Sequence, residues 1–344
     1  MKALVYMGPG NLRIEQRPIP NCREDEVLIR VVCCGICGSD VAGYLGKTGR
    51  RIPPMIMGHE FSGIIEKVGA HVKEWSPGDR VTAQPIRFCG ECAFCRRGLT
   101  NLCSNQSMLG VLETDGAMAE YVKVSAKQVV LLPQEVDYRV AALAEPFAVA
   151  YNAVMKAEVA GANVAVVGSG TIGLMVIAAL RMRGAARIYA MDLQEDKREI
   201  ALLLGADVAF DPRNEDAFAE MIQATGGGVD VAFEAVGASA SVVSAMSSLK
   251  KTGTAVWIGN MSPTIELNMQ QIVTRELKIV GNFDYTQESF AETVRNMGKL
   301  DFSRLIDRTI SLEEAREVFK RLGNREISSI KTIIRIGGKE NEEI

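Results

Sequence analysis

The chain has 344 residues, 47% of them apolar and 24% charged, with a formal net charge of -3. That length exceeds what one hydrophobic core usually organises and predicts two domains. The charge balance offers no footprint for nucleic acid or an acidic membrane, no apolar stretch approaches the roughly 20 residues of a bilayer span, and no signal-peptide pattern opens the chain. The expected partner is therefore a small molecule, and the expected location is the cytoplasm.

Short β segments punctuated by Gly and Pro are predicted at residues 3–6, 26–32, 63–68, 80–83 and 119–124. They place a β-rich domain over residues 1–150. From about Asn163 the pattern becomes strand 164–167, a glycine turn, helix 174–182 and strand 188–191, which is a βαβ unit. Strands at 229–234, 254–258 and 277–280, with helices at 215–224 and 239–249, extend it into a doubly wound parallel sheet over residues 151–285. The fold class is α/β. The remaining stretch, 286–344, carries an amphipathic helix at 312–322 and an apolar strand at 330–336, expected to complete the first domain, and a frayed acidic end at 339–344.

Eight cysteines in a cytoplasmic chain point to metal ligands or spare thiols, because that compartment keeps thiols reduced. Cys89-x2-Cys92-x2-Cys95-x7-Cys103 brings four thiolates into one short loop and predicts a closed structural zinc site, with no open position for substrate. Gly90 and Gly98 let the loop turn, and Arg96 and Arg97 offset its negative charge. Cys33, Cys34 and Cys37 form a second group, Cys22 stands alone, and His59 and His71 are the only imidazoles.

Gly168-Ser169-Gly170-Thr171-Ile172-Gly173 has the spacing of a dinucleotide fingerprint, follows an apolar strand and opens an apolar helix. Gly168 serves the tight turn, Gly170 the approach of the pyrophosphate and Gly173 the packing of helix on sheet, with Thr171 and Ile172 between them. Asp192 closes the next strand, where an acidic side chain accepts from ribose hydroxyls and repels a 2′-phosphate. NAD is the expected cofactor; Lys197 and Arg198 are the counterweight.

Cys37-Gly38-Ser39-Asp40, Gly58-His59-Glu60, Pro77-Gly78-Asp79-Arg80-Val81, the four-cysteine loop, Gly116-Ala117-Met118-Ala119-Glu120-Tyr121, Glu145-Pro146 and the glycine fingerprint occur in order. In these motifs the chain resembles the zinc-containing medium-chain dehydrogenases nearly end to end. The resemblance implies a GroES-like catalytic domain, a Rossmann domain for NAD and a substrate held between them. Carried over by position, Cys37 and His59 are implied ligands of a catalytic zinc, the second per chain, with Glu60 or Glu145 supplying a carboxylate and a water position left open. A glutamate at 145, where alcohol dehydrogenases often have cysteine, resembles the polyol branch.

Asp40 is then the acceptor that orients His59. Ser39 is the hydroxyl that passes on the alcohol proton, or else the cap of a helix starting near Val41. Many relatives place histidine where this chain has Ala42, so proton release must run differently. Where sorbitol dehydrogenases place an Arg-Tyr pair, Asn282-Phe283-Asp284-Tyr285 stands here, which puts sorbitol itself in doubt. Asp284 would favour a neutral polyol; Arg50 and Arg51, if they face the substrate, an anionic one, and a solvated surface is their plain alternative. The expected reaction is NAD-linked oxidation of a secondary alcohol of polyol, polyol phosphate or sugar-acid type. The rivals are a threonine-type amino-alcohol dehydrogenase, with Asp284 or Glu113 receiving the ammonium, and a non-catalytic homologue. A homotetramer or dimer is expected, built by extending the Rossmann sheet at 254–258 and 277–280.

Overall fold

The run Glu-Val-Leu-Ile-Arg-Val-Val-Cys-Cys-Gly is buried almost throughout, and it forms the long strand Glu26–Gly35 on which the first unit is built. The computed structural model describes residues 1–112 and 114–337, so Glu113 and the predicted frayed end at 339–344 lie outside the described residues. Strand Glu26–Gly35 pairs antiparallel with Glu60–Val68, with Tyr121–Ser125 and with the late strand Lys331–Arg335. Across the seven-stranded sheet the order is Val129–Leu131, Arg80–Ala83, Glu60–Val68, Glu26–Gly35, Lys331–Arg335 and Ile306–Ser311, with Tyr121–Ser125 off that path. A smaller sheet orders Asn11–Gln16, Lys2–Gly8 and Met55–Ile56. Val5, Ile29, Phe61, Val81 and Met118 share one core with Phe319 of the helix Ala315–Gly323. The chain divides into two compact units, Met1–Glu145 with Thr286–Ile344, and Pro146–Tyr285.

The second unit holds six parallel strands in the order Val208–Phe210, Arg187–Met191, Asn163–Val167, Val229–Glu234, Leu249–Trp257 and Lys278–Gly281. Its central strands are buried on both faces, as a parallel sheet covered by helices requires. Strand order reverses between Asn163–Val167 and Val229–Glu234, and dinucleotides bind beyond the carboxyl ends of strands at such a point. Among the described residues no helix is long and apolar enough to cross a membrane.

Two elements start earlier than the sequence pattern predicts. The strand expected from Gly63 starts at Glu60, because Glu60 and Ser62 are buried polar residues with dedicated partners, Lys331 and the Tyr138 carbonyl. The helix expected from Leu174 starts at Thr171, directly after the glycine turn.

Candidate active site

Cys37 ends the segment that follows strand Glu26–Gly35 and, with φ -86° and ψ 150°, is the N-cap of the short helix Gly38–Tyr44. Its Sγ accepts from the Ser39 N–H at 3.4 Å, and Oδ2 of Asp40 accepts from the Cys37 N–H at 3.3 Å. The cap is therefore Cys37. This corrects the alternative in which Ser39 caps a helix from Val41: residues 38–40 already hold helical geometry. Ser39 is exposed at the first turn.

His59 and Glu60 enter where strand Glu60–Val68 begins. One ligand atom from each of Cys37, His59 and Glu60 lies within 4.8 Å of the others. Nδ1 of the buried His59 stands 3.6 Å from Oδ1 of Asp40, too far for a hydrogen bond. Both oxygens of Glu60 accept from Nζ of Lys331, at 2.8 and 2.7 Å, and Lys331 also donates to the Ile36 carbonyl at 3.3 Å. Gly35, opposite Glu60 in the sheet, makes room for this: a Cβ there would stand 2.2 Å from Oε2. Glu145 is buried and its charge acts on His59, but it stands outside the close trio.

These groups carry an uneven charge. Asp40, Glu60 and Glu145 stand against Arg51 and Lys331, and a Cys37 bound to a metal as thiolate would raise this to a surplus of negative charge that one divalent cation with a neutral His59 would cancel. Burial opposes a charge on His59, yet Asp40, Cys37 and Glu145 outweigh it and lift the imidazole pKa well above 6.5. The field thus draws in positive charge, and the donor set of sulfur, imidazole and carboxylate suits Zn²⁺.

The four-cysteine loop has the shape its spacing suggests. Sγ of Cys103 is 3.5 Å from that of Cys89, and the Cys89–Cys95 and Cys92–Cys103 pairs are each 4.0 Å apart. Four sulfurs on one zinc at about 2.3 Å stand roughly 3.8 Å from one another. Backbone N–H groups of Cys95 and Ser104 bring the Cys92 thiol down to about 6, whereas burial and hydrogen bonds to neighbouring sulfurs push Cys95 up to about 12. Four thiolates together require a cation. Arg96 and Arg97, in the turn Cys95–Arg97, are exposed.

In the second unit, Gly168 follows strand Asn163–Val167 and Gly170 is the N-cap of helix Thr171–Met182. A Cβ on Gly170 would meet nothing within 4 Å, leaving open space at a helix N-terminus that suits an anion. At Gly173 a Cβ would stand 1.7 Å from the Gly168 carbonyl oxygen, so this position admits no side chain without moving the turn. Ile172 follows Thr171 in the first turn. The Asp192 carboxylate accepts from the Ser169 N–H at 2.7 Å and the Gln194 N–H at 2.9 Å, binding the fingerprint turn to the end of the next strand. Each oxygen keeps a further lone pair for a ribose hydroxyl. Arg198 donates to the carbonyls of Asp192 and Leu193.

Other expectations fare differently. Arg50 is exposed, but Arg51 is buried on Asp40, which takes it out of both the substrate-facing and the solvated reading. Asn282 is engaged with Asn152, whose Nδ2 donates to its Oδ1 at 2.7 Å and to the Asp284 carbonyl at 3.1 Å. Asp284 itself has φ 47°. Of the two carboxylates offered for an amino alcohol, Glu113 lies outside the described residues. His71 is exposed beside Glu24, as a solvated loop residue. Sequence reasoning missed Arg51 and Lys331 as parts of the cluster; a lysine inside the apolar run 330–336 was the available sign for the second.

Residues 23–134 match the family model of the alcohol dehydrogenase GroES-like domain, and residues 171–299 that of the zinc-binding dehydrogenases. The chain is 36% identical to sorbitol dehydrogenase of Bacillus subtilis (strain 168), over 93% of each chain. It resembles the solved 2R,3R-butanediol dehydrogenase of Bacillus subtilis at 34% identity and a TM-score of 0.88, covering 97% of this chain and 99% of that one. A solved structure from Sinorhizobium meliloti 1021, described as a zinc-binding dehydrogenase bound to NADP, is similar at 32% identity and a TM-score of 0.90, over 97% and 98% of the two chains.

Proposed function

This chain belongs to the zinc-binding alcohol dehydrogenase family, and we propose that it interconverts a secondary alcohol of polyol type with its ketone, using NAD as the hydride acceptor. The observation that carries the reading is the meeting of Cys37 and His59, with a Glu60 carboxylate oxygen within 4.8 Å of both, in a field that favours positive charge. When bound there, zinc supplies a Lewis acid that lowers the pKa of an alcohol, and the nicotinamide takes the hydride.

Cys37 and His59 would hold the metal, His59 through Nε2 because Nδ1 faces Asp40. Lys331 engages both oxygens of Glu60, so we assign Glu60 to shaping the field and Glu145 to the carboxylate position. Ser39 sits beside Cys37, exposed to solvent, and takes the alcohol proton out to water, since Ala42 offers no further relay. The four-cysteine loop would hold the second zinc, which stiffens the loop and leaves catalysis alone.

Relatives named for sorbitol and for 2R,3R-butanediol support a substrate with more than one hydroxyl. NADH formation, followed by absorbance over a panel of polyols, polyol phosphates, sugar acids, threonine and simple secondary alcohols, tests this. One polyol class should turn over fastest; threonine as the preferred substrate would replace the polyol reading with the amino-alcohol one.

Asp192 supports NAD over NADP. Asp192→Ala is expected to weaken NAD binding and to relax discrimination against NADP by about 1–3 kcal/mol, the worth of hydrogen bonds to a charged acceptor. The ratio of the two dissociation constants reads this, and an unchanged ratio would remove Asp192 from the ribose site.

The protein is proposed to act in the cytoplasm as a homo-oligomer, a tetramer or a dimer. The edge strand Lys278–Gly281, with Ile279 exposed, suits pairing with a second copy. Light scattering that gives a monomer mass at micromolar concentration would contradict this.

A further inference from the structure

Arg51 is a buried cation beside the proposed catalytic metal, and its burial on Asp40 leaves it without the substrate-facing task the sequence offered. Its Nη2 donates to Oδ1 of Asp40 at 2.9 Å, and the two side chains are 4% and 0% exposed. That same oxygen is the one 3.6 Å from His59 Nδ1, while Oδ2 accepts from the backbone N–H of Cys37. One carboxylate therefore holds the Cys37 backbone by a hydrogen bond and faces His59 Nδ1 without one. One guanidinium holds the carboxylate.

The chain goes to some cost to place it. Arg51 sits on a bridge to Leu112, outside the named strands, and its stem crosses helix Gly38–Tyr44 at Gly43, where a Cβ would stand 2.6 Å from its Cγ. Its buried Nε has no hydrogen-bond partner, so the pairing with Asp40 is what offsets the burial of this side chain. Arginine suits the place because it stays charged and is weakly hydrated.

We propose that Arg51 is a positioning residue for the catalytic metal: by fixing the Asp40 carboxylate, it keeps Cys37 and His59 preorganised as a ligand pair. A carboxylate with no guanidinium to hold it is free to turn away, and Cys37 would lose its hydrogen bond and His59 the oxygen that faces its Nδ1. The inference rests on the reading that the cluster holds zinc, and it goes beyond that reading by naming the residue on which retention of the metal depends.

The test uses the zinc-loaded protein and follows release of zinc to a chelator with a colorimetric indicator. The four-cysteine site in the same molecule is the internal reference. Arg51→Met is expected to speed release of one zinc about tenfold to a hundredfold and leave the other unchanged, and Arg51→Lys to recover part of the retention. In an Asp40→Asn background Arg51→Met should add little, because Arg51 acts through Asp40. That comparison also serves if Arg51→Met alone fails to fold, since the double variant leaves no unpaired buried charge. Wild-type release of both zincs from folded Arg51→Met, equal acceleration of both, or full additivity with Asp40→Asn would overturn the proposal. Wild-type protein that binds a single zinc would instead overturn the reading of the cluster, and this inference with it.

Discussion

His59→Ala and Cys37→Ser are each expected to abolish NAD reduction while the protein stays folded and still binds NADH. Each removes one of the two side chains that would hold the metal, and both residues belong to the first unit, whereas the glycine turn and Asp192 belong to the second. Charge stabilisation by a bound metal is worth several kcal/mol, so the loss should be at least about a thousandfold. Turnover under substrate saturation and NADH binding by fluorescence separate the two effects. Either variant retaining wild-type turnover would sink the zinc assignment. Loss of NADH binding together with turnover would mean that the substitution had damaged the fold.

The largest effect on stability is expected at Lys331→Met. Nζ of Lys331 lies within 2.8 Å of both Glu60 oxygens, with the side chains 3% and 1% exposed. Burial works against a charged lysine, yet Glu60 and Cys37 outweigh it and raise its pKa. Removing one partner leaves an uncompensated buried charge, at a cost of about 3–5 kcal/mol. The double variant Glu60→Gln/Lys331→Met should recover much of this, because no ion then remains to be buried. Urea unfolding of the two variants reads both numbers; a single variant as stable as the wild type would show that water reaches Glu60.

Much of this was legible in the sequence, for reasons particular residues make plain. Helix Thr171–Met182, the parallel strands around it and the four-cysteine loop are set by short-range rules: apolar period, glycine at a turn, thiol spacing. His59 and Glu60 stand 22 and 23 positions after Cys37 along the chain, and resemblance to a family named them before any spacing could. What stayed hidden depends on pairing between distant segments. Lys331 reaches Glu60 only because strand Lys331–Arg335 returns to Glu26–Gly35, which brings together residues 271 apart in sequence. Arg51 reads as a substrate-facing or a surface residue next to Arg50 until Gly43 is seen to admit its side chain. The placement of Asn282 and Asp284 was not legible, because a backbone turn and a link to Asn152 decide where those groups lie.

Metal content measured together with turnover tests the central claim most directly. Purified protein is assayed for bound zinc, stripped of its more labile metal by a chelator, and reloaded, with NADH formation on a polyol followed at each stage. Two zincs per chain are predicted, with activity lost as the first leaves and regained when zinc is restored. Activity that persists after both have gone would contradict the account.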